Sequence, residues 1–146
     1  MTAEELWKKF IQSNKIEVSE YDAWAFGDDA DLLADLVVRG EKTATASAYV
    51  FYELEGEPLP KAEEYSVVLD SEDNAVCIIQ TKKVSVIPFS SVTAEHAYKE
   101  GEGDKSLSYW REVHEQFFQE ELEKVGLEFT PELLVVCEEF DLVYKG

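Results

Sequence analysis

The chain is short of basic residues, of cysteine and of long apolar runs, and each shortage excludes something. Lysine and arginine number 13 against 32 aspartates and glutamates, a formal net charge of -19 over 146 residues. Binding along a duplex depends on lysine and arginine neutralising phosphates, so no long duplex nucleic acid is expected as a partner. An anionic membrane surface is disfavoured for the same reason. A nucleoside, a nucleotide or a short single-stranded RNA stays compatible, provided the pocket that takes it is locally neutral or basic. No stretch of about eighteen apolar residues occurs, so no membrane span is expected. Met1 is followed by Thr2, Ala3, Glu4 and Glu5, the wrong charge and polarity for a secretory leader, and a cytoplasmic location is the expectation.

The two cysteines, Cys77 and Cys137, lie far apart, each inside an apolar run. Neither belongs to a C-x-x-C pair, so no zinc site is expected, and two buried thiols are. The sequence has no G-x-G-x-x-G, P-loop, H-E-x-x-H or G-x-S-x-G. The D-x-D-x-D-G spacing of a calcium loop is also missing. No metal and no cofactor is expected.

What is present is a globular composition. Residues are 45% hydrophobic and 31% charged, enough apolar surface to offset chain entropy in a single domain over 1–146. Thr2-Ala3-Glu4-Glu5 reads as a capping box, followed by Leu6, Trp7, Phe10 and Ile11 on one helical face, with Asn14 as a stop. Trp24 to Asp29 reads as an aromatic loop ending in an N-cap aspartate. Leu32, Leu33, Leu36 and Val37 repeat at helical spacing, and Gly40 follows Arg39 as a C-terminal glycine. Lys42 to Ser47 reads as extended. Ala48 to Leu54 suits either a strand or a short helix, and Glu55 to Lys61, with Pro58 and Pro60, is loop. Tyr65–Leu69 and Ala75–Val86 form a hairpin across the turn at Ser71-Glu72-Asp73-Asn74. Thr93 caps a short helix to Lys99, Ser106 caps a long one to about Val125, and Leu133 to Tyr144 closes the chain as a strand. Strands and helices do not alternate, so the fold class expected is α+β: an antiparallel sheet or small barrel with flanking helices.

Two segments carry candidate chemistry. Lys42 and Thr45 lie three apart just beyond a helix stop, and a tight turn after Gly40 would aim both into one cavity. A desolvated lysine amine can act as a base toward a neighbouring hydroxyl. The alternative is a solvated turn lysine beside an ordinary strand threonine. Glu100, Glu102 and Asp104 crowd carboxylates on a glycine-rich loop, where one could hold a proton at neutral pH, or where all three could be an exposed linker. Trp24 and Phe26 suit stacking on a base as well as they suit a core, whereas Trp110 falls on an apolar helix face. His96 and His114 sit on separate helices and read as surface or packing residues.

At these residues the chain resembles the ASCH domain family, whose fold is a small β-barrel related to the PUA RNA-binding domain. Gly40-Glu41-Lys42-Thr43-Ala44-Thr45 matches the family's G-x-K-x-x-T signature. Trp24-Ala25-Phe26-Gly27, Tyr52 to Pro60, Glu100 to Leu107 and Tyr109-Trp110-Arg111 with His114 and Phe117-Phe118 resemble a larger bacterial branch. The resemblance implies a barrel with an N-terminal helical extension over about 1–20, and a site that binds or acts on RNA or modified nucleosides. Some small bacterial members hydrolyse N4-acetylcytidine with a lysine, a threonine and a glutamate, which map by motif to Lys42, Thr45 and Glu100. In that role Lys42 is the base, Thr45 attacks or positions water, and Glu100 donates a proton to the leaving amine. Substrate contacts are expected from Trp24, Phe26, Ser47, Glu102, Asp104 and Arg111. A non-catalytic RNA- or nucleotide-binding module is the alternative, and a ribonuclease using Arg39, Lys42 and Arg111 a further one. Two departures stand out. Ser47 follows Ala46 where small members often carry an arginine after the threonine. Glu63-Glu64 stands where relatives often have Gly-Asp, and glycine reaches backbone angles that glutamate avoids.

Overall fold

The computed structural model describes residues 1–17, 20–27 and 29–145. Asp28, within the aromatic segment, and residues 18 and 19, within the helical extension, lie outside the described residues. The elements in chain order are α1 (Ala3–Asn14), β1 (Asp22–Ala25), α2 (Ala30–Val38), β2 (Ala44–Ala48), α3 (Tyr49–Glu55), β3 (Tyr65–Leu69), β4 (Ala75–Pro88), α4 (Ala94–Glu100), α5 (Leu107–Glu123) and β5 (Leu134–Lys145). A single 3-10 turn, Phe89–Ser91, follows β4.

The five strands form one sheet in the order β1-β3-β4-β5-β2. Only β1 and β3 run parallel; the other pairs are antiparallel. The long strands β4 and β5 slip register between Ile78 and Ile79 and between Thr81 and Lys83. Bulges of this kind bend a strand and raise its twist, and here they accompany the curling of the sheet into a half-barrel.

Side-chain alternation decides what each face meets. Val67 of β3 and Ile78 of β4 point one way, onto Leu6, Trp7 and Phe10 of α1. Val68, Cys77 and Ile79 point the other way, onto Leu33, Ala34, Leu36 and Val37 of α2. A third cluster gathers Phe89, Val92, Trp110, Phe118 and Val135 where α4 and α5 meet the β5 end of the sheet. Leu32, expected on the apolar face of α2, is 47% exposed. Ala34 takes that inward position instead, since it completes the stripe at the spacing of Leu33 and Val37. Both cysteines are free and buried, and burial pushes each thiol up to about 12.

All but one of the capping expectations hold. Thr2 and Glu5 form a complete capping box, Thr93 and Ser106 cap α4 and α5 through their side chains, and Gly40 sits at φ +77. The ambiguous segment after Ala48 is the helix α3, closed by Gly56 at φ +66. Asp29 precedes α2, but its side chain makes no cap hydrogen bond. Two expectations need correction. Trp24 and Ala25 belong to β1 rather than to a loop, because their backbone pairs with Val68 and Leu69. The carboxylates after α4 are not one exposed linker either, because Glu100 is the last helical residue and is 1% exposed.

Candidate active site

The site begins at the end of α2. Gly40 N–H donates to the Val37 carbonyl and Glu41 N–H to the Leu36 carbonyl, the two bonds of a Schellman motif, and Lys42 N–H also reaches Leu36. This turn reverses the chain and drives Lys42 inward, while Thr43 is pinned by Lys99 on one side and Phe140 on the other. The Lys42 side chain is 1% exposed. Its Nζ donates to Glu100 Oε1 at 3.1 Å and to Glu102 Oε2 at 2.9 Å, and lies 5.3 Å from the centre of the Phe26 ring.

Glu100 is the hub of the cluster. Oε1 faces Lys42 and lies 3.6 Å from His114 Nε2. Oε2 accepts from His96 Nε2 at 2.7 Å and from the Trp110 indole N–H. His114 stacks on Trp110 with ring centres 4.2 Å apart, and its Nδ1–H donates to the Trp110 carbonyl at 2.9 Å. Both histidines, expected at the surface or in packing, therefore meet a buried carboxylate. Their spacing was the available signal: His96 and Glu100, like Trp110 and His114, are four apart and share a helix face.

Electrostatics separates the two glutamates. Burial alone would raise the pKa of Glu100, but Lys42, His114 and His96 hold it well below the usual carboxylate range. Glu102 is raised, by burial first and then by the charge of Glu100, with Lys42 opposing. Burial lowers His114, yet Glu100 and Glu102 outweigh that and leave it raised. The cluster thus contains one carboxylate held ionised and one that holds a proton more readily.

Two glycines make the geometry possible. Gly101 sits at φ +71, and a Cβ there would run into the Glu41 backbone carbonyl. Only a residue without a side chain lets the turn after α4 lie against the turn after α2. Gly103, at φ +58, is likewise covered by the Tyr109 ring.

The cluster opens into a cavity of about 800 Å³, the size of a small-molecule site. Lys42, Thr45, Glu100, Trp24, Phe26, Ser47 and Glu102 all line it. Trp24 and Phe26 meet edge to face with ring centres 5.0 Å apart. Ser47 Oγ hydrogen-bonds Tyr52 Oη at 2.8 Å, and burial raises the Tyr52 phenol. Asp104 and Arg111 stand apart from the cavity. Asp104 is exposed and accepts from Ser106 N–H at the entry to α5, and Arg111 donates to the Ser90 carbonyl from the surface. Glu100, Glu102 and His114 offer ligand atoms within 4.8 Å of one another, but the Lys42 ammonium position lies among them and already supplies the cation. Sequence reasoning missed Glu138 on β5, which is 9% exposed and lines the cavity. Its signal was an acidic residue set into the apolar run Val135-Val136-Cys137.

A curled mixed sheet flanked by helices, with a polar cluster at the turn after α2, defines a protein of the PUA-like α+β class. The ASCH domain family profile matches residues 22–144, and the chain belongs to that family. A protein from Enterococcus faecalis V583 is similar at a TM-score of 0.90 and 38% identity, covering 97% of this chain and 88% of that one. An ASCH domain from Lactobacillus crispatus JV V101 is similar at 0.88 and 36%, covering 97% and 93%. A hypothetical protein at 17% identity, with a TM-score of 0.58 over 85% of this chain and 100% of that one, shares the fold alone. No curated protein matches the chain. Among the described residues, no helix is long and apolar enough to cross a membrane.

Proposed function

We propose that the cavity is the active site of an amidohydrolase that cleaves the C–N bond of an N-acylated nucleoside, N4-acetylcytidine or a close analogue. The observation that carries this reading is Lys42, buried at the base of an aromatic-walled cavity, with Glu100 and Glu102 on its amine and Thr45 on the same wall. Lys42 Nζ donates to Glu102 Oε2 at 2.9 Å, close enough for that proton to pass to the carboxylate as the reaction begins. With the amine neutral and Glu102 protonated, Lys42 takes the proton of the Thr45 hydroxyl, or of a water that Thr45 positions. The oxygen attacks the acyl carbon, the C–N bond breaks, and Glu102 passes its proton to the leaving nitrogen. The pair ends as ammonium and carboxylate, and moving one proton between them restores the start. If Thr45 is the nucleophile, water then hydrolyses the threonyl ester by the same transfers. Glu100, held ionised, keeps Lys42, His96 and His114 in position. The proton donation first assigned to Glu100 thereby moves to Glu102, because the depressed pKa of Glu100 makes it a poor acid.

A binding module that holds the same ligand without reaction draws support from the PUA-like fold and from the aromatic pair Trp24 and Phe26. A ribonuclease draws none from the cavity, since no arginine lines it. Arg39 pairs instead with Asp35 at 2.9 Å and Glu41 at 3.1 Å.

Acetate release from N4-acetylcytidine, followed by chromatography, tests the proposal. Wild-type protein is expected to turn over, with Lys42→Ala and Thr45→Ala each slowed at least about a hundredfold. Equal turnover in Lys42→Ala would overturn the site, and inactive wild type across a panel of N-acylated nucleosides would leave the binding reading.

A further inference from the structure

The cavity has a second polar locus, away from Lys42. Glu138 of β5 is the direct antiparallel partner of Thr45 of β2. Such partners project from the same face of a sheet, and both side chains line the cavity. Glu138 is 9% exposed, yet no hydrogen bond from a described residue reaches its carboxyl. Among the described residues no fully buried side-chain oxygen or nitrogen lacks a partner, so the unpaired Glu138 carboxyl is open to the cavity it lines.

The charged neighbours reinforce the point. Glu64 before β3 and Asp22 on β1 act on Glu138 as like charges, and the Tyr52 hydroxyl of α3 is the other titratable group beside it. The two lysines on the adjoining strand turn elsewhere, Lys82 toward Gln80 at 2.9 Å and Lys83 toward Glu139 at 3.9 Å. Burial, then Glu64 and Asp22, push Glu138 up to about 7. Among the described residues, eight aspartates and glutamates line the cavity against Lys42 and His114, and both of these already face carboxylates. A phosphate would find repulsion there and no free cation.

We propose that Glu138 is a ligand-recognition residue that pairs side-on with a planar N–C–N edge, as in an amidine or an aminopyrimidine, in a ligand without phosphate. A carboxyl that gains or loses its proton near neutrality matches both forms of that edge. As the acid it meets a donor–acceptor edge, and as the carboxylate it meets two N–H donors in parallel. The inference rests on the cavity being a small-molecule site, and does not require that any amide be cleaved.

Benzamidinium, a planar cation with two parallel donors and no acyl group, separates this inference from hydrolysis. Titration calorimetry of wild type is expected to give saturable binding about tenfold tighter at pH 8 than at pH 6, since a group titrating at about 7 is about nine-tenths and one-tenth ionised there. The near-isosteric Glu138→Gln is expected to bind at least about tenfold more weakly and with no pH dependence. Equal affinity in the two proteins, or no binding by wild type at pH 8, overturns the proposal whatever the acetate assay gives. A measurement on wild type alone guards against a misfolded variant. The carboxyl carbon resonance of Glu138 is expected to titrate near neutrality when free and at lower pH with benzamidinium, and an unmoved titration also overturns it.

Discussion

Glu100, Glu102 and Glu138 are the same residue type with differently shifted pKa values, because their surroundings differ. Glu100 has donors on both oxygens, so Glu100→Gln leaves the buried Lys42 with Glu102 alone and should cost about 3 kcal/mol at pH 7 in urea unfolding. Its folded pKa is depressed, so this stabilisation is present above the unfolded value and fades as pH falls through the folded one. Glu138 has the opposite sign. Its folded pKa of about 7 stands above the ordinary 4.5, so the folded state binds the extra proton and stability falls as pH rises through that window. A rise from 4.5 to about 7 corresponds to about 3 kcal/mol at most. Glu138→Gln should therefore stabilise the protein at pH 8 by roughly 1–3 kcal/mol and lose that advantage near pH 4.5, read from unfolding midpoints at the two pH values.

At the scale of elements, the junctions between helices and strands carry the site, and backbone angles decide them. Gly101→Ala places a methyl against the Glu41 carbonyl, so the turn bearing Lys42 must move. The proposed turnover of N4-acetylcytidine is expected to fall by a larger factor than in Gly40→Ala, which has a comparable positive φ but open space around it. Glu63 takes φ +76, the conformation for which relatives' glycine is suited, with its N–H on the Thr81 carbonyl at 2.8 Å. Glu63→Gly is expected to stabilise by about 1 kcal/mol, measured as a rise in Tm. Local signals located most elements. β3 falls on Tyr65–Leu69 as read, and the caps Thr2, Thr93 and Ser106 were legible because a cap acts over three residues. β1 was not, since four residues with mostly exposed side chains carry no period and exist as a strand only by pairing with β3.

For the whole molecule, the net charge of -19 sets behaviour that no single contact explains. Self-repulsion destabilises the compact state and salt screens it. Tm is therefore expected to rise by several degrees between about 10 mM and 500 mM sodium chloride, followed by circular dichroism. An unchanged or falling Tm would show that repulsion is not a significant term. The same field works against long nucleic acid, while the environment inside the cavity is set by its own walls.

The sequence by itself determined the α+β class, the caps at Thr2, Thr93 and Ser106 and the signature that carries Lys42 and Thr45, because each follows from residue type and short-range spacing. Tertiary structure decided the rest. It brought Glu100 beside Lys42 from 58 positions away, turned His96, His114 and Trp110 from helix-face residues into partners of one carboxylate, and left Asp104 and Arg111 outside. It also set Glu138 across from Thr45. Burial and the charges facing a group fix its protonation, and both arise from segments distant in the chain, so no local pattern could have separated one glutamate from another.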